Sequence, residues 1–176
     1  MKILVTNHQL SQFQGSEWFT HCLVIALKKK GHKPYVFTPM LGGVSKALEY
    51  HKIPISDKLD VWKNIKFDVI HAQHNITALY ARSLFPSVPM VYMSHGPQAQ
   101  LEQPPSLDIG ISHYFAVSEE VRSNLMNKYS IPRDKITIVR NIIDTDLFSN
   151  KIPAREELTR LLVISNHYLT ENRQVI

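Results

Sequence analysis

Residues 1–38 read MKILVTNHQLSQFQGSEWFTHCLVIALKKKGHKPYVFT, and this stretch predicts a complete unit of strand, helix and strand. Its two ends, at 3–5 and 35–37, are short runs of branched and aromatic residues, which are typical of strands. Between them, apolar residues recur at three- and four-residue spacing and predict one buried helical stripe, made of Phe19, Cys22, Leu23, Ala26 and Leu27. Two strands connected through a helix run parallel, with a right-handed crossover.

The ends of this helix carry their own signals. Ser16 is placed to cap the amide end, and Glu17 is placed to face the positive end of the helix dipole. Gly31 follows the three lysines at 28–30 and can close the other end. The stretch therefore predicts a helix that opens at Gly15 to Glu17 and ends before Gly31.

The same alternation continues along the chain. Further strands are predicted at 67–71, 90–93, 114–117, 136–139 and 161–164, and helices at 41–51, 76–85 and 119–129, the last capped by Ser118. Residues 53–55 predict a brief strand, 58–64 one or two helical turns, and 97–107 a long polar loop. We therefore expect an α/β fold with a Rossmann-like, mostly parallel sheet and helices on both faces.

Length sets the expected domain organisation. A chain of 176 residues can bury one good core but cannot hold two full α/β domains. We expect an amino-terminal domain at 1–149, a polar linker at 150–160, and at 161–176 the first strand of a truncated carboxy-terminal domain. The strand at 161–164 has no helix to cover it, so we also expect it to support weak self-association.

Charge and cysteine content indicate the cellular compartment and the partners to expect. The chain is 44% apolar, has a net charge of +5 and contains one cysteine, Cys22, so it needs no disulfide framework. It lacks a secretory signal pattern, and its longest apolar stretch, 22–27, is too short to span a membrane. We expect a cytoplasmic protein with no nucleic-acid partner. Its basic surface is either merely solvated or makes weak peripheral contact with the inner face of an anionic membrane.

The ligand of a parallel sheet binds beyond the carboxyl ends of its strands, so the polar residues there are candidate site residues. Gly15 and Ser16 open a helix whose amide end can bind an anion, such as the phosphate of a donor. The chain has neither the dinucleotide-binding glycine pattern nor a P-loop. Gly15 therefore has two interpretations: it belongs to an anion site, or it lets the loop approach the sheet.

His95 and Gly96 follow the most apolar strand and precede the long loop. The imidazole of His95 can donate to a sugar hydroxyl or a phosphate, and it can change charge near neutral pH. The alternative is a histidine that only satisfies nearby backbone carbonyl groups. Other polar residues at strand ends are candidates for an acceptor crevice, namely His8, His74, Gly96, Ser118 and Asn141.

Two further chemistries have little support in the sequence. His71 and His74 offer the imidazole nitrogens that zinc binds, but they lack a third ligand of the usual kind. Cys22 lies on the predicted helical stripe, and Ser94 and His95 are neighbours along the chain, so no nucleophile faces a base. We expect neither a metal site nor a covalent mechanism.

Eight short stretches between residues 2 and 148 occur in a characteristic order. They are 2–5 (KILV), 14–17 (QGSE), 31–32 (GH), 67–72 (FDVIHA), 95–96 (HG), 116–119 (AVSE), 131–136 (IPRDKI) and 141–144 (NIID), the last ahead of Phe148. This order resembles the amino-terminal domain of family 4 retaining glycosyltransferases. The resemblance implies one half of a GT-B fold, in which two Rossmann-like domains face each other. Gln14 and Ile142 depart from the family pattern, because each stands where the family usually has a glycine.

The resemblance also implies a function and roles for the site. The intact enzyme is expected to be a hexosyl-type transferase that moves a sugar from a nucleotide-sugar donor to a hydroxyl group of a carbohydrate or lipid-linked acceptor, with retention at the anomeric carbon. Gly15 is expected near the donor diphosphate and His95 against the reacting sugar, with no metal or cofactor. Most donor contacts in this family lie in the second domain, so the chain alone is expected to be inactive.

Two alternatives remain open at this point. One is a non-catalytic module of the same fold that binds a sugar or a nucleotide. The other is a fragment of a nicotinamide-dependent oxidoreductase. The second requires a glycine-rich turn after Val5 and an acidic residue at the end of the second strand, and the chain has neither.

Overall fold

The computed structural model describes residues 1–143 and residue 145, and it contains one sheet of seven strands. The strands are β1 (Lys2–Thr6), β2 (Lys33–Phe37), β3 (Ile55–Ser56), β4 (Val69–Gln73), β5 (Met90–Ser94), β6 (Ile111–Ala116) and β7 (Ile136–Ile138). The α-helices in this part of the chain are α1 (Gly15–Lys29), α2 (Gly43–Tyr50), α3 (Asn75–Leu84) and α4 (Glu119–Tyr129). Short 3₁₀ turns occupy Leu59–Trp62, Gln100–Glu102 and Arg133–Lys135.

The sheet is doubly wound. Its order is β3-β2-β1-β4-β5-β6-β7, and all neighbouring strands are parallel. The chain runs outward from β1 to β3, returns to place β4 on the other side of β1, and continues to β7. The order therefore reverses between β1 and β4, which is where the ligand crevice of a Rossmann-like sheet lies. The predicted fold class is confirmed.

Helices cover both faces of this sheet. Successive side chains of a strand point to opposite faces, so Leu4 of β1 packs in the same apolar layer as Ala78 of α3. Its neighbour Val5 packs in the opposite layer, together with Val24 of α1 and Leu48 of α2. Buried apolar contacts of this kind, at roughly 25 cal/mol per Å² of area, hold the strand ends in fixed positions.

Helix α4 follows the sequence prediction residue by residue, whereas α1 departs from it in two details. Ser118 caps α4, because its hydroxyl oxygen accepts a hydrogen bond from the N–H of Val121 at 3.2 Å. Ser16 does not cap α1: the residue before this helix is Gln14, and the Ser16 hydroxyl donates to a carboxylate oxygen of Glu17 at 3.0 Å. A helix that starts one residue earlier than Ser16 leaves its hydroxyl inside the first turn, where it cannot reach the free N–H groups.

The buried face of α1 also differs from the predicted stripe. Phe19, Thr20 and Val24 are buried, whereas Ala26 is exposed. The predicted stripe does not include Thr20, which is polar, but the hydroxyl of this residue is fully hydrogen-bonded inside the protein. At the other end, Gly31 has a φ of +82° and closes the helix as predicted.

The carboxy-terminal predictions concern residues that the structure does not describe. Asp144, the linker at 150–160 and the strand at 161–164 lie outside the described residues. Within residues 1–143, none of the helices has the length and apolarity that a membrane span requires.

Candidate functional site

Three imidazole rings lie together at the carboxyl ends of the central strands. His8 follows β1, His74 follows β4 and His95 follows β5. The ring centroids of His8 and His74 are 6.2 Å apart, and those of His74 and His95 are 6.3 Å apart. The structure therefore brings three of the predicted site residues to the point where the strand order reverses. We call this group the histidine cluster.

His74 is held in place by its own backbone and by the neighbouring loop. It precedes α3 with a φ of 65°, which few residues other than glycine adopt. Such a conformation costs about 1–3 kcal/mol and often occurs where a side chain must be fixed. The Nδ1 atom of His74 accepts a hydrogen bond from the backbone N–H of His8 at 3.3 Å. A neutral His74 therefore carries its proton on Nε2.

The imidazole of His95 is bonded to Gln73, the fully buried last residue of β4. The Oε1 atom of Gln73 lies 2.7 Å from Nε2 of His95. Phe19 of α1 packs edge-on against the same ring, with 5.0 Å between the centroids. The Nε2 atom of His95 therefore has a hydrogen-bonding partner inside the domain.

The buried histidines are neutral at pH 7. Burial, and then the charges of His74 and His71, lower the pKa of His95 to about 3. Burial, and then the charge of His8, lower the pKa of His74 to about 4. Burial also lowers the pKa of His71 to about 4. The expectation that His95 changes charge near neutral pH is therefore wrong, because a charged ring here would lose its hydration beside other imidazoles.

The start of α1 is connected to His95 through buried side chains. The Nδ2 atom of Asn7 donates to the carbonyl oxygen of Ser16 at 3.2 Å and to the hydroxyl oxygen of Thr20 at 2.8 Å. That hydroxyl in turn lies 2.9 Å from Nε2 of Gln73. Asn7, Thr20 and Gln73 have no exposed side-chain surface, so this polar network is internal to the domain.

Gly15 and Ser16 lie in different environments. Gly15 is exposed, and no protein atom lies within 4 Å of the point where a Cβ would sit. The interpretation that Gly15 lets the loop approach the sheet is therefore wrong. Ser16 is buried and its hydroxyl bonds to Glu17, so only its backbone is left for a ligand.

Two carboxylates border the same region. Glu17 is 2% exposed and accepts hydrogen bonds from the Gln9 side chain at 2.7 Å and from the Ser16 hydroxyl at 3.0 Å. Glu102 lies beside Gly96, where a Cβ would be 2.5 Å from Oε2 of Glu102. Burial, and then the charge of Glu17, raise the pKa of Glu102. This wall is therefore acidic, which opposes an anion more than it opposes a neutral sugar.

Two predicted residues make no hydrogen bond to the histidine cluster within the described part of the chain. The hydroxyl oxygen of Ser118 is used as the cap of α4. Asn141 is exposed beyond β7, and β5 and β6 separate that strand from β4. In the described part of the chain, neither side chain is hydrogen-bonded to the three histidines.

A cavity of about 920 Å³ lies beside the cluster, because Asn75, which directly follows His74, is one of its lining residues. The loop after β5 and the end of α4 form its walls, which include Gln103, Tyr114 and Tyr129. It contains none of the site residues predicted from the sequence. Among residues 1–143, no group of three or more His, Cys, Asp or Glu side chains has a geometry that could hold a metal ion.

Thr20 and Gln73 are the residues of this site that the sequence analysis missed. Both are polar residues within segments that otherwise read as apolar. A glutamine at the end of the buried run 69–73 was the available signal, since a buried amide must find partners for both its oxygen and its nitrogen.

Comparisons with known proteins identify the family and the fold. The family model described as Glycosyltransferase Family 4 matches residues 13–147. No curated protein sequence matches significantly. A glycosyltransferase from Rickettsia africae ESF-5 is similar with a TM-score of 0.67 and 18% identity, over 84% of this chain and 45% of that one.

Two further solved structures are similar over the same region. Alr3699/HepE from Anabaena, solved in complex with UDP and glucose, has a TM-score of 0.63 and 16% identity over 84% of this chain and 46% of its own. MurG from Acinetobacter baumannii has a TM-score of 0.55 and 13% identity over 82% and 46%. Identities this low show a shared fold only. The chain spans less than half the length of each of these three structures.

Proposed function

Since the chain belongs to glycosyltransferase family 4, we propose that it contains the amino-terminal, acceptor-side domain of a retaining, hexosyl-type glycosyltransferase that uses a nucleotide-sugar donor. In this proposal the acceptor-side domain comprises residues 1–149. Residues 150–160 form a linker, and residues 161–176 begin the donor-binding domain. The observation that carries the proposal is the cluster of neutral imidazoles at the switch point of the sheet.

The chemistry of the histidine cluster suits the hydroxyl groups of a sugar. One nitrogen of His74 and one of His95 are bonded within the protein, so each neutral ring has a single nitrogen left with which to bind a hydroxyl group. A site for phosphate would instead present charged donors, such as arginine or lysine side chains. Because His74 and His95 are neutral at pH 7, we assign His95 to the reacting sugar and His8, His74 and Gly96 to the surrounding crevice.

The diphosphate of the donor requires a second set of contacts. The amino-terminal end of α1, which is exposed at Gly15 and buried at Ser16, can offer backbone N–H groups to a phosphate oxygen. The buried carboxylate of Glu17 lies in the first turn of the same helix and limits this attraction. We therefore propose that the second domain supplies most of the charge that stabilises the leaving group. The chain alone is then inactive.

The partners follow from this assignment. We propose a nucleotide-sugar donor and a carbohydrate or lipid-linked acceptor with a free hydroxyl group. Alr3699/HepE, which shares the fold, was solved with UDP and glucose, and this supports a nucleotide-sugar ligand. We propose a cytoplasmic protein, and its net charge of +5 supports weak contact at the inner face of an anionic membrane. We also propose that Ser118 and Asn141 contact the acceptor. Residues 161–164 are proposed to support weak self-association.

The proposal is tested by following the release of nucleoside diphosphate from a panel of nucleotide sugars. The assay compares this chain with the two-domain protein that the proposal implies, in the presence of simple glycoside acceptors. We expect turnover by the two-domain protein and none by the chain alone. Binding of a nucleotide sugar without turnover by the two-domain protein would favour the non-catalytic module. Turnover by the chain alone would contradict the need for a second domain.

A further inference from the structure

We infer that Thr20 and Gln73 are positioning residues that fix the tautomer of His95, so that its Nδ1 atom is the hydrogen-bond acceptor offered to the ligand. The identity of that ligand, a sugar hydroxyl, rests on the proposed function. The tautomer itself does not, because it is a property of the protein without any ligand.

The argument starts at Thr20, whose hydroxyl has a single proton. Its Oγ1 atom lies 2.8 Å from the carbonyl oxygen of Ser16, which can only accept, so the proton points there. The hydroxyl oxygen is then left as an acceptor. Asn7 supplies one donor at 2.8 Å, and its own amide orientation is set by the backbone N–H of Gln9, which donates to Oδ1 at 3.0 Å.

Gln73 is oriented by this hydroxyl. Because Thr20 has no second proton, the nearest amide atom of Gln73, 2.9 Å away, must be the donor Nε2. Rotating the amide by half a turn would place Oε1 nearest to this hydroxyl oxygen and leave Nε2 with only the longer distance of 3.1 Å, which weakens the buried hydrogen bond. The Oε1 atom also lies 3.1 Å from the hydroxyl, but the shorter bond to Ser16 holds the proton. Oε1 therefore faces His95.

His95 completes the sequence of bonds. With Oε1 of Gln73 at 2.7 Å, Nε2 of His95 is the protonated nitrogen. Nδ1 then has a free lone pair, makes no hydrogen bond within the described part of the chain, and is not among the buried atoms without a partner. A hydroxyl group can donate to this atom, whereas a fully ionised phosphate oxygen cannot. The network thus selects a hydroxyl over a phosphate at His95.

The test is ¹⁵N NMR of the imidazole of His95 in this chain without ligand, since protonated and unprotonated ring nitrogens have well-separated shifts. We expect the tautomer with the proton on Nε2 to be about tenfold or more populated than the tautomer with the proton on Nδ1, because an unmade buried hydrogen bond is costly. The variant T20V removes the hydroxyl at nearly constant shape and should reduce this preference, whereas T20S keeps the hydroxyl and should retain it.

Two more variants separate the network from packing. T77V removes another buried hydroxyl, which bonds to the backbone carbonyl of Gln73 at 2.6 Å, and should leave the tautomer unchanged. Q73E places a carboxylate against Nε2 and should raise the pKa of His95 while keeping Nε2 protonated. Protonation of Nδ1 in the unaltered protein would overturn the inference. So would an equal effect of T20V and T77V, or an unchanged pKa in Q73E.

The result can be distinguished from failure of the proposed function. If the tautomer responds as expected but the two-domain protein releases no nucleoside diphosphate, the positioning roles stand and the transferase proposal fails. If turnover is found but His95 carries its proton on Nδ1, the transferase proposal stands and the positioning roles fail.

Discussion

The imidazole of His74 lies 6.3 Å from that of His95, and its charge adds to burial in lowering the pKa of His95 to about 3. The two rings follow adjacent strands, β4 and β5, whose parallel pairing brings their carboxyl ends to the same edge of the sheet. A pair of histidines placed in this way resists protonation of either member, because the second charge would be both buried and repelled.

The first prediction concerns protonation measured ring by ring. The chain contains nine histidines, and we expect His71, His74 and His95 to stay neutral when the pH is lowered from 8 to 5. The measurement is a pH titration of the imidazole resonances by NMR. In the variant H74Q, the pKa of His95 should rise, since one source of repulsion is removed. Titration of His95 near pH 6.5 in the unaltered protein would contradict the buried geometry.

The second prediction is the pH dependence of folding. The unfolded chain protonates these histidines near pH 6.5, whereas the folded chain does so only near pH 4 for His71 and His74 and near pH 3 for His95. Between these values the unfolded state binds more protons, so the free energy of unfolding falls as the pH drops from 6.5 towards 3. Above pH 6.5 this contribution to the pH dependence vanishes.

Urea unfolding at a series of pH values between 7 and 4 measures this dependence. H74Q should make the slope shallower, because one of the three protonation sites is gone. The comparison variant is H51Q, since the side chain of His51 is exposed; its charge adds to burial in lowering the pKa of His21, so H51Q should change the slope less than H74Q does. An equal slope in the unaltered protein and in H74Q would show that His74 does not contribute.

The fold could be read from the sequence because its determinants are local. Each strand of the sheet has its own apolar run, and Ser118 marks the start of α4 by the chemistry of a helix cap. The buried face of α1 was harder, because Thr20 is buried by bonds to residues of other elements, which no periodic pattern contains.

The site was predictable only in part, for the same reason. The rule that ligands bind beyond the carboxyl ends of parallel strands selected His8, His74 and His95. It could not show that Gln73 bonds to His95, since these residues are 22 positions apart and meet only when β4 and β5 pair. The low pKa of His95 depends on burial in the folded domain, and the sequence does not contain that quantity.

The third prediction is the effect of His95 on turnover. In the two-domain protein, H95A should lower kcat by about 100-fold or more, within the range of a positioned hydrogen-bonding group. The affinity for the free nucleotide should change much less, because we assign the nucleotide to the second domain, whereas the free energy of unfolding should fall because Gln73 loses a buried partner. H51A serves as the control on an exposed histidine. Full turnover in H95A would remove His95 from the site.

The fourth prediction compares alanine substitution at Gly15, where a ligand is proposed to approach the backbone, with alanine substitution at Gly42, where the protein itself is closely packed. Gly15 lies at the start of α1 with no protein atom within 4 Å of a Cβ position, and its φ is not positive. G15A should therefore raise the free energy of unfolding by up to about 1 kcal/mol, since alanine restricts the unfolded chain. Gly42 is the matched control, because a Cβ there would lie 2.5 Å from the Cα of Ser11.

G42A should accordingly destabilise the fold by about 1–3 kcal/mol, because the backbone must move to relieve the contact. The informative result is turnover by the two-domain form of G15A. If donor phosphate approaches the backbone at Gly15, an added methyl group lies in its path, so KM for the nucleotide sugar should rise although the domain is more stable. An unchanged KM in G15A, measured with saturating acceptor, would show that the diphosphate is bound without the start of α1. Repulsion of the phosphate by the nearby carboxylate of Glu17 would be a reason for that result.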